Sequence, residues 1–228
     1  MFDVADPQFA HKFNSYASPS PVLESGRAYL HWGSPGTACI DTKTFKTLWT
    51  RPDFVCDHFR GSGSSPFIYN DLLVLTMDGA DVQYLVALDK DTGKTIWRTD
   101  RSTDFKDLDA NGNPKRDGDE RKCYSTPIIV NVDGRDLLIS PGAKAAWAYE
   151  PLTGKPVWQF RYKNHSSASR PVFNNGLLYI NSGYSVAELF AVKPSGTGDI
   201  TDKNKVWGVS GSNIPKKPSP ILHEDLLY

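Results

Sequence analysis

The sequence predicts an all-β protein built from repeats of four antiparallel strands, the architecture of a β-propeller. Short apolar runs, rich in Val, Ile, Leu and Tyr, are separated throughout by Gly, Asp and Pro. No segment shows the sustained 3.6-residue period of a long amphipathic helix. The pattern recurs about every 45 to 50 residues, which is the length of one four-stranded propeller blade.

Each repeat begins with a Ser, Thr or Arg placed directly before a proline. These pairs mark blade starts near residues 20, 65, 126, 170 and 219. A first apolar run follows, and a polar turn separates it from a second run at 28–30, 72–75, 137–139 and 177–180. Two runs joined by a polar turn are typical of a β-hairpin. These runs are therefore predicted to be the inner two strands of each blade.

The outer half of each repeat consists of a third apolar run, a tight turn and a tryptophan. In the clearest copy Asp89, Thr92 and Gly93 form the turn before Trp97. Asp and Thr side chains can accept hydrogen bonds from nearby backbone amides, and Gly readily takes a positive φ, so a tight hairpin is expected. The other copies end at Trp49, at Trp158 and, after an insertion in the turn, at Trp207. The ring is predicted to pack between neighbouring sheets.

Composition excludes several classes of function. The 228 residues include 26 Lys+Arg and 26 Asp+Glu, a formal net charge of zero. This balance argues against a nucleic-acid-binding protein and against a polybasic membrane-surface protein. No window approaches a membrane span, and no signal-peptide pattern occurs in this chain. Cys39, Cys56 and Cys123 are isolated and are predicted to be buried free thiols.

The motif at residues 87–97, Ala-Leu-Asp-Lys-Asp-Thr-Gly-Lys-Thr-Ile-Trp, carries a family resemblance. Together with the Ser-Pro blade starts it resembles the repeat of pyrroloquinoline-quinone (PQQ)-type β-propellers, found in quinoprotein alcohol dehydrogenases and in the propeller lipoprotein of outer-membrane protein assembly. Segments 14–21, 57–61 and 141–145 resemble secreted bacterial proteins with quinoprotein-like repeats. The resemblance implies the fold and a periplasmic or extracellular location. It says little about function, because one fold hosts many unrelated sites.

The resemblance also implies a ring of seven or eight blades. Four repeats lie between Pro21 and Pro220, at about 50 residues each, and residues 221–228 reproduce the first two strands of another blade. Residues 1–228 are therefore expected to form about four and a half blades of a larger propeller, of which this chain is a fragment. A complete small propeller of four or five blades is the alternative.

Strand direction places the candidate ligand site. If the Ser-Pro strand is innermost, the crossings between blades and the loops after the second strands meet at one end, here called the upper end. The candidate ligand-binding residues there are His58, Arg60, Lys122, Tyr124, Lys144, His165 and Arg170, with Lys217 nearby. Their positive bias favours an anionic or polyhydroxyl ligand, such as an acidic carbohydrate. The alternative is that they are solvated loop residues and partners in ion pairs between blades.

An enzymatic function is less well supported by the residues. Resemblance to quinone-dependent dehydrogenases implies a vicinal Cys pair and a Ca²⁺ held by Glu, Asn and Asp beside a catalytic Asp. This sequence has no adjacent cysteines and no ligand set that matches position by position. The predicted function is a non-enzymatic scaffold that binds a ligand or a protein, with no catalytic residues and no bound PQQ. The alternative is a PQQ-dependent alcohol or sugar dehydrogenase whose catalytic residues lie partly outside this chain.

One long interval between blades, residues 100–120, is strongly acidic. Asp107, Asp109 and Asn111 stand at positions one, three and five of a calcium-loop pattern, with a glycine at position six. Asp117 and Asp119 are candidates for the remaining ligands. Position twelve is a glycine where that pattern has Glu. The segment therefore predicts a Ca²⁺ site, with a solvated acidic insertion as the alternative.

Overall fold

The computed structural model describes residues 8–12, 14–184 and 186–228. In this part of the chain four sheets each contain four antiparallel strands in sequence order, which confirms the predicted repeat. We name them blades one to four. Blade one contains β1 Val22–Glu24, β2 Arg27–His31, β3 Thr37–Asp41 and β4 Thr47–Arg51. Blade two contains β5 Phe67–Tyr69, β6 Leu72–Asp78, β7 Gln83–Asp89 and β8 Thr95–Asp100.

The second half of the chain repeats the arrangement. Blade three contains β9 Ile128–Val132, β10 Arg135–Pro141, β11 Ala145–Tyr149 and β12 Pro156–Arg161. Blade four contains β13 Val172–Asn174, β14 Leu177–Ser182, β15 Ala187–Val192 and β17 Lys205–Gly211. A two-stranded hairpin, β18 Leu222–His223 and β19 Leu226–Leu227, follows blade four. Every first strand comes directly after one of the predicted proline pairs.

The insertion in the fourth repeat lies between β15 and β17 and is partly ordered into short elements. It contains β16 Gly198–Asp199 and a helix of one turn, α1 Thr201–Asn204. Strand β16 pairs in parallel with β12, so it covers the outer edge of blade three. The side chain of Ile200 is buried in the core shared by blades three and four. No helix in the described ranges is long and apolar enough to cross a membrane.

Apolar cores form between consecutive blades, because each sheet carries apolar side chains on both faces. Tyr29 and Cys39 of blade one pack with Leu73 and Val86 of blade two. Blades two and three share a second core, and blades three and four a third. Burial of apolar surface on both faces stabilises a stack of sheets more than any single sheet could. All three cysteines are free and buried, as predicted.

Three of the blade tryptophans lie between sheets, as predicted. The Nε1 of Trp49 donates to the Lys90 carbonyl at 3.0 Å. The Nε1 of Trp97 donates to the Pro151 carbonyl at 3.1 Å, and that of Trp158 to the Pro194 carbonyl at 2.8 Å. In each case the acceptor belongs to the turn before the last strand of the following blade. These rings therefore connect the lower ends of consecutive blades.

Candidate functional site

The upper ends of the blades are joined by backbone hydrogen bonds between different crossings. The amide of Tyr124 donates to the Ser167 carbonyl at 2.8 Å, and the amide of Ser166 donates to the Lys122 carbonyl at 3.0 Å. These bonds tie the crossing between blades two and three to the crossing between blades three and four. The predicted convergence of these crossings at one end is therefore present in the structure.

A cavity of about 480 Å³ opens where the crossings meet. Three successive crossings contribute to its wall, and the segment after blade four adds Lys217. The polar side chains that line it from these parts of the chain are Arg60, Ser62, Asp119, Lys122, Tyr124, Ser166 and Lys217. Arg60, Lys122 and Tyr124 of the predicted set thus share one cavity.

The N-terminal segment forms a further wall of the cavity, which the sequence analysis did not predict. His11, Asn14 and Ser18 line the cavity. The amide of His11 donates to the Arg60 carbonyl at 3.1 Å, and Nδ2 of Asn14 donates to the same oxygen at 2.7 Å. These residues precede the first repeat and have no counterpart in the other blades, so the repeat pattern carries no signal for them.

The cations of the cavity are not equivalent. Lys122 is buried, contacts the Asp119 carboxylate and donates to the Asp119 carbonyl at 2.7 Å. Burial and the neighbouring charge of Arg60 lower the pKa of Lys122 to about 8, so its amine remains mostly protonated at neutral pH. Among the described residues, no acidic side chain forms an ion pair with Arg60 or Lys217. The lining therefore carries an excess of positive charge.

Of two further predicted residues, Tyr124 lines the cavity and His58 is a buried residue that Tyr124 contacts. The hydroxyl of Tyr124 donates to the His58 carbonyl at 3.2 Å, which holds the phenol ring against the crossing before blade two. His58 itself is not a lining residue; it is 4% exposed, and its Nδ1 lies 3.8 Å from the Cys56 thiol. Burial lowers the pKa of His58 to about 4, so the imidazole is neutral at physiological pH.

The other predicted ligand residues have different surroundings. Lys144 donates to the Glu120 carboxylate at 2.6 Å, an ion pair between a loop and a crossing. His165 contacts the lining residue Ser166 through Nδ1 and Oγ at 2.8 Å. Arg170 lies outside the lining, with its guanidinium 5.7 Å from the Phe67 ring centre. The Lys144 ion pair is the kind of contact that the alternative interpretation expects, and the exposed Arg170 lies against the ring of Phe67.

A buried ion pair supports the upper end, and sequence reasoning did not identify it. Nε of Arg101 donates to the Asp78 carboxylate at 3.0 Å, and a second guanidinium nitrogen contacts the other carboxylate oxygen. Arg101 also donates to the Ser140 hydroxyl at 2.9 Å and to the Pro141 carbonyl at 3.3 Å. Both charged side chains are almost fully buried. This pair connects blade two to blade three just below the crossings.

The predicted calcium ligands are engaged with protein groups. The Asp107 carboxylate accepts hydrogen bonds from Arg121 at 2.8 and 3.0 Å, and Arg121 holds the pKa of Asp107 below its usual value. Asp109 accepts the amides of Asn111 and Asn113 at 2.8 and 2.9 Å.

Asp119 is paired with Lys122, and Asp117 lies in a 3₁₀ turn, Lys115–Gly118, on the surface. Within the described ranges no group of three or more His, Cys, Asp or Glu side chains is placed to hold a metal. Calcium binding by this segment remains a prediction, and it would require Asp107 and Asp119 to leave their cationic partners.

Comparison with known proteins assigns the fold and the family. A family model described as outer membrane protein assembly factor BamB matches residues 82–228. The chain belongs to this family, whose repeat is of the PQQ type. A search of curated protein sequences finds no significant match.

Two solved structures are similar in fold. BamB from Moraxella catarrhalis is 17% identical, with a TM-score of 0.54 over 77% of this chain and 49% of that one. The quinohemoprotein alcohol dehydrogenase ADHIIG from Pseudomonas putida HK5 is 14% identical, with a TM-score of 0.54 over 84% of this chain and 34% of that one. The present chain thus spans about half of the first structure and a third of the second.

The described residues do not fit the quinone site that the dehydrogenase resemblance implies. Cys56 and Cys123 lie near the upper end but belong to different crossings, and the Cys123 thiol donates to the Ser167 carbonyl at 3.2 Å. Asp119 is the carboxylate of the described lining, and it is already paired with Lys122. No step of a quinone reaction can be assigned to these residues.

Proposed function

We propose that the chain acts as a binding scaffold in the bacterial periplasm or outside the cell, and that its upper cavity holds an acidic group of a ligand or protein partner. The observation that carries the proposal is a cavity built by successive crossings whose lining includes two cations without an acidic ion-pair partner in the described chain, Arg60 and Lys217.

The chemistry of these two cations favours a carboxylate. A guanidinium can donate two parallel hydrogen bonds to one carboxylate, and no acidic side chain of the described residues forms an ion pair with Arg60. Lys217 adds a second positive charge on the wall from the segment after blade four. Lys122 is already paired with Asp119, so it is less available to a ligand carboxylate than Arg60 or Lys217. The walls confine the ligand, which strengthens electrostatic attraction relative to open solvent.

A protein partner is the occupant that the family supports best. The description of the matching family model, an outer membrane protein assembly factor, is that of a protein that works with other proteins. A cavity of this size accommodates one or two acidic side chains or a chain terminus rather than a folded domain. The proposed ligand is therefore an acidic segment of an envelope protein, with an acidic carbohydrate as the second occupant to test.

The direct test is fluorescence anisotropy with two labelled peptides of equal length, one rich in Glu and one with Gln at the same positions. We expect the Glu peptide to bind, and Arg60→Glu to weaken binding by roughly tenfold or more. Lys46→Glu, on the lower turn of blade one, makes the same charge change away from the cavity and should have little effect. Equal binding of both peptides, or equal loss in both variants, would contradict the proposal. An oligogalacturonate tested in parallel distinguishes a carbohydrate ligand from a peptide.

A further inference from the structure

The outermost strands of the four blades differ in how their outer edges are protected. These strands are β4, β8, β12 and β17. The outer edge of a blade presents unpaired backbone N–H and C=O groups, which can pair with another chain. Proteins normally protect such edges with charged side chains, by covering them or by keeping them short. Within the described residues, three of these strands show such protection, and the fourth does not.

Strand β12 is covered by β16 of the same chain, through the pairs Trp158 with Gly198 and Gln159 with Asp199. Strand β8 carries Arg98 and Asp100 in its second half, joined by hydrogen bonds of 2.7 and 3.1 Å. Strand β4 has five residues and ends at Arg51, which is paired with Asp53. The covered edge of β12 also shows that an outer edge of this molecule can accept a further strand.

Strand β17 has the longest uncharged edge of the four. It contains seven residues, and its only charged residue is Lys205 at the beginning. No charged residue occurs from 206 to 214. Val206 is 48% exposed, Trp207 39% and Val209 51%. A long, uncharged, partly apolar edge is the kind that pairs with another strand.

We propose that two copies of the chain pair through β17, antiparallel about a twofold axis at Gly208. In this register Gly208 faces its own copy, Trp207 faces Val209 and Val206 faces Ser210. Aromatic and β-branched cross-strand pairs are favourable, so the Trp207 and Val209 pair forms twice. Lys205 falls opposite Gly211, which places the two lysines at opposite ends and avoids like-charge repulsion. The segment therefore complements itself, as a twofold interface requires.

We choose β17 of a second copy as the partner of this edge, and not a different outer strand such as β8, because of charge. Pairing of β17 with an edge such as β8 would bring Arg98 and Asp100 onto an uncharged strand and leave them without new partners. Pairing of β17 with itself brings only uncharged side chains together along its centre. If the wild-type chain stays monomeric in the experiment below, the proposal fails and an extended segment of another protein becomes the alternative partner of this edge.

Sedimentation velocity of the whole chain across a concentration series tests the interface. We expect dimers at about 100 µM that dissociate on dilution. Val206→Lys should weaken dimerisation by roughly tenfold or more, because a charged side chain within the paired edge opposes pairing. Ile96→Lys is the matched control, since Ile96 also precedes the blade tryptophan and is 53% exposed, but on the charged edge of β8. A wild-type chain that stays monomeric, or equal effects of the two variants, would overturn the proposal.

The register has a separate test by disulfide trapping. A mixture of Val206→Cys and Ser210→Cys chains should form a cross-linked heterodimer on mild oxidation, because these positions face each other across the interface. Val206→Cys alone should cross-link poorly, since its two copies would lie about 13 Å apart along the strands. The native cysteines are buried and should not contribute. Equal cross-linking in the single-variant sample would overturn the proposed register, and absence of any cross-link would overturn the pairing.

Discussion

The hydrogen bonds inside the tight lower turn of a blade and those that join the crossings at the upper end differ in range. At the lower end, Asp89 accepts hydrogen bonds from the amide and the hydroxyl of Thr92, both at 2.7 Å and three residues along the chain. At the upper end, Arg101 reaches Asp78 and Ser140, which lie 23 and 39 residues away. The lower turn is thus specified by its own sequence. The upper end, where the cavity lies, depends on side chains that different blades bring together.

The largest effect should come from breaking the buried pair at the upper end. Arg101→Met leaves the Asp78 carboxylate buried without its cation, and we expect a loss of about 3 to 5 kcal/mol in the free energy of unfolding. Urea denaturation followed by tryptophan fluorescence measures it. Arg98→Ala removes the exposed partner of Asp100 and should cost at most about 1 kcal/mol. Similar losses in the two variants would mean that the upper end does not depend on this long-range pair.

The same contrast explains which features the sequence could predict. A short motif that recurs about every 45 to 50 residues predicts the strand order, the lower turns and the placement of Trp49, Trp97 and Trp158. Each copy of the motif supports the others. Among the candidate ligand residues, strand direction alone predicts that Arg60 and Lys122 lie at the upper end. The contact of Lys144 with Glu120 is set by which loops meet in three dimensions, and no local pattern encodes it.

The buried histidines make the upper end sensitive to acid. Burial lowers the pKa of His58 to about 4 and that of His31 to about 3, below the ordinary value near 6.5. A lowered folded-state pKa means that stability is complete above pH 6.5 and falls as the pH drops towards 4, by about 3 kcal/mol for His58 alone. His58→Gln should flatten the dependence of the unfolding free energy on pH between 6.5 and 4.5. An unchanged slope in the variant would show that His58 does not titrate on unfolding.

At the lower end, the close approach of Gly154 in blade three to Trp97 in blade two can be tested in isolation. A Cβ at Gly154 would lie 2.5 Å from the Trp97 ring, and Gly154 has a φ of +70°. Gly134 has a similar φ of +80°, but a Cβ there would meet nothing within 4 Å. Gly134→Ala therefore measures the backbone cost alone, and Gly154→Ala adds the clash with Trp97. We expect Gly154→Ala to be more destabilising by about 2 kcal/mol in thermal and urea unfolding. Equal losses would indicate that the Trp97 ring moves without cost.

The smallest effect is expected where the contacts that are removed are local. Asp89→Ala removes the acceptor of the Thr92 amide and hydroxyl, and we expect a loss of about 1 kcal/mol in the free energy of unfolding. Lys94→Ala changes an exposed side chain in the same turn and should change stability by less than about 0.5 kcal/mol. Because water can replace the Asp89 carboxylate at this exposed site, the cost stays well below that of removing Arg101. A loss as large as that of Arg101→Met would contradict the division between local hydrogen bonds within the lower turn and long-range contacts at the upper end.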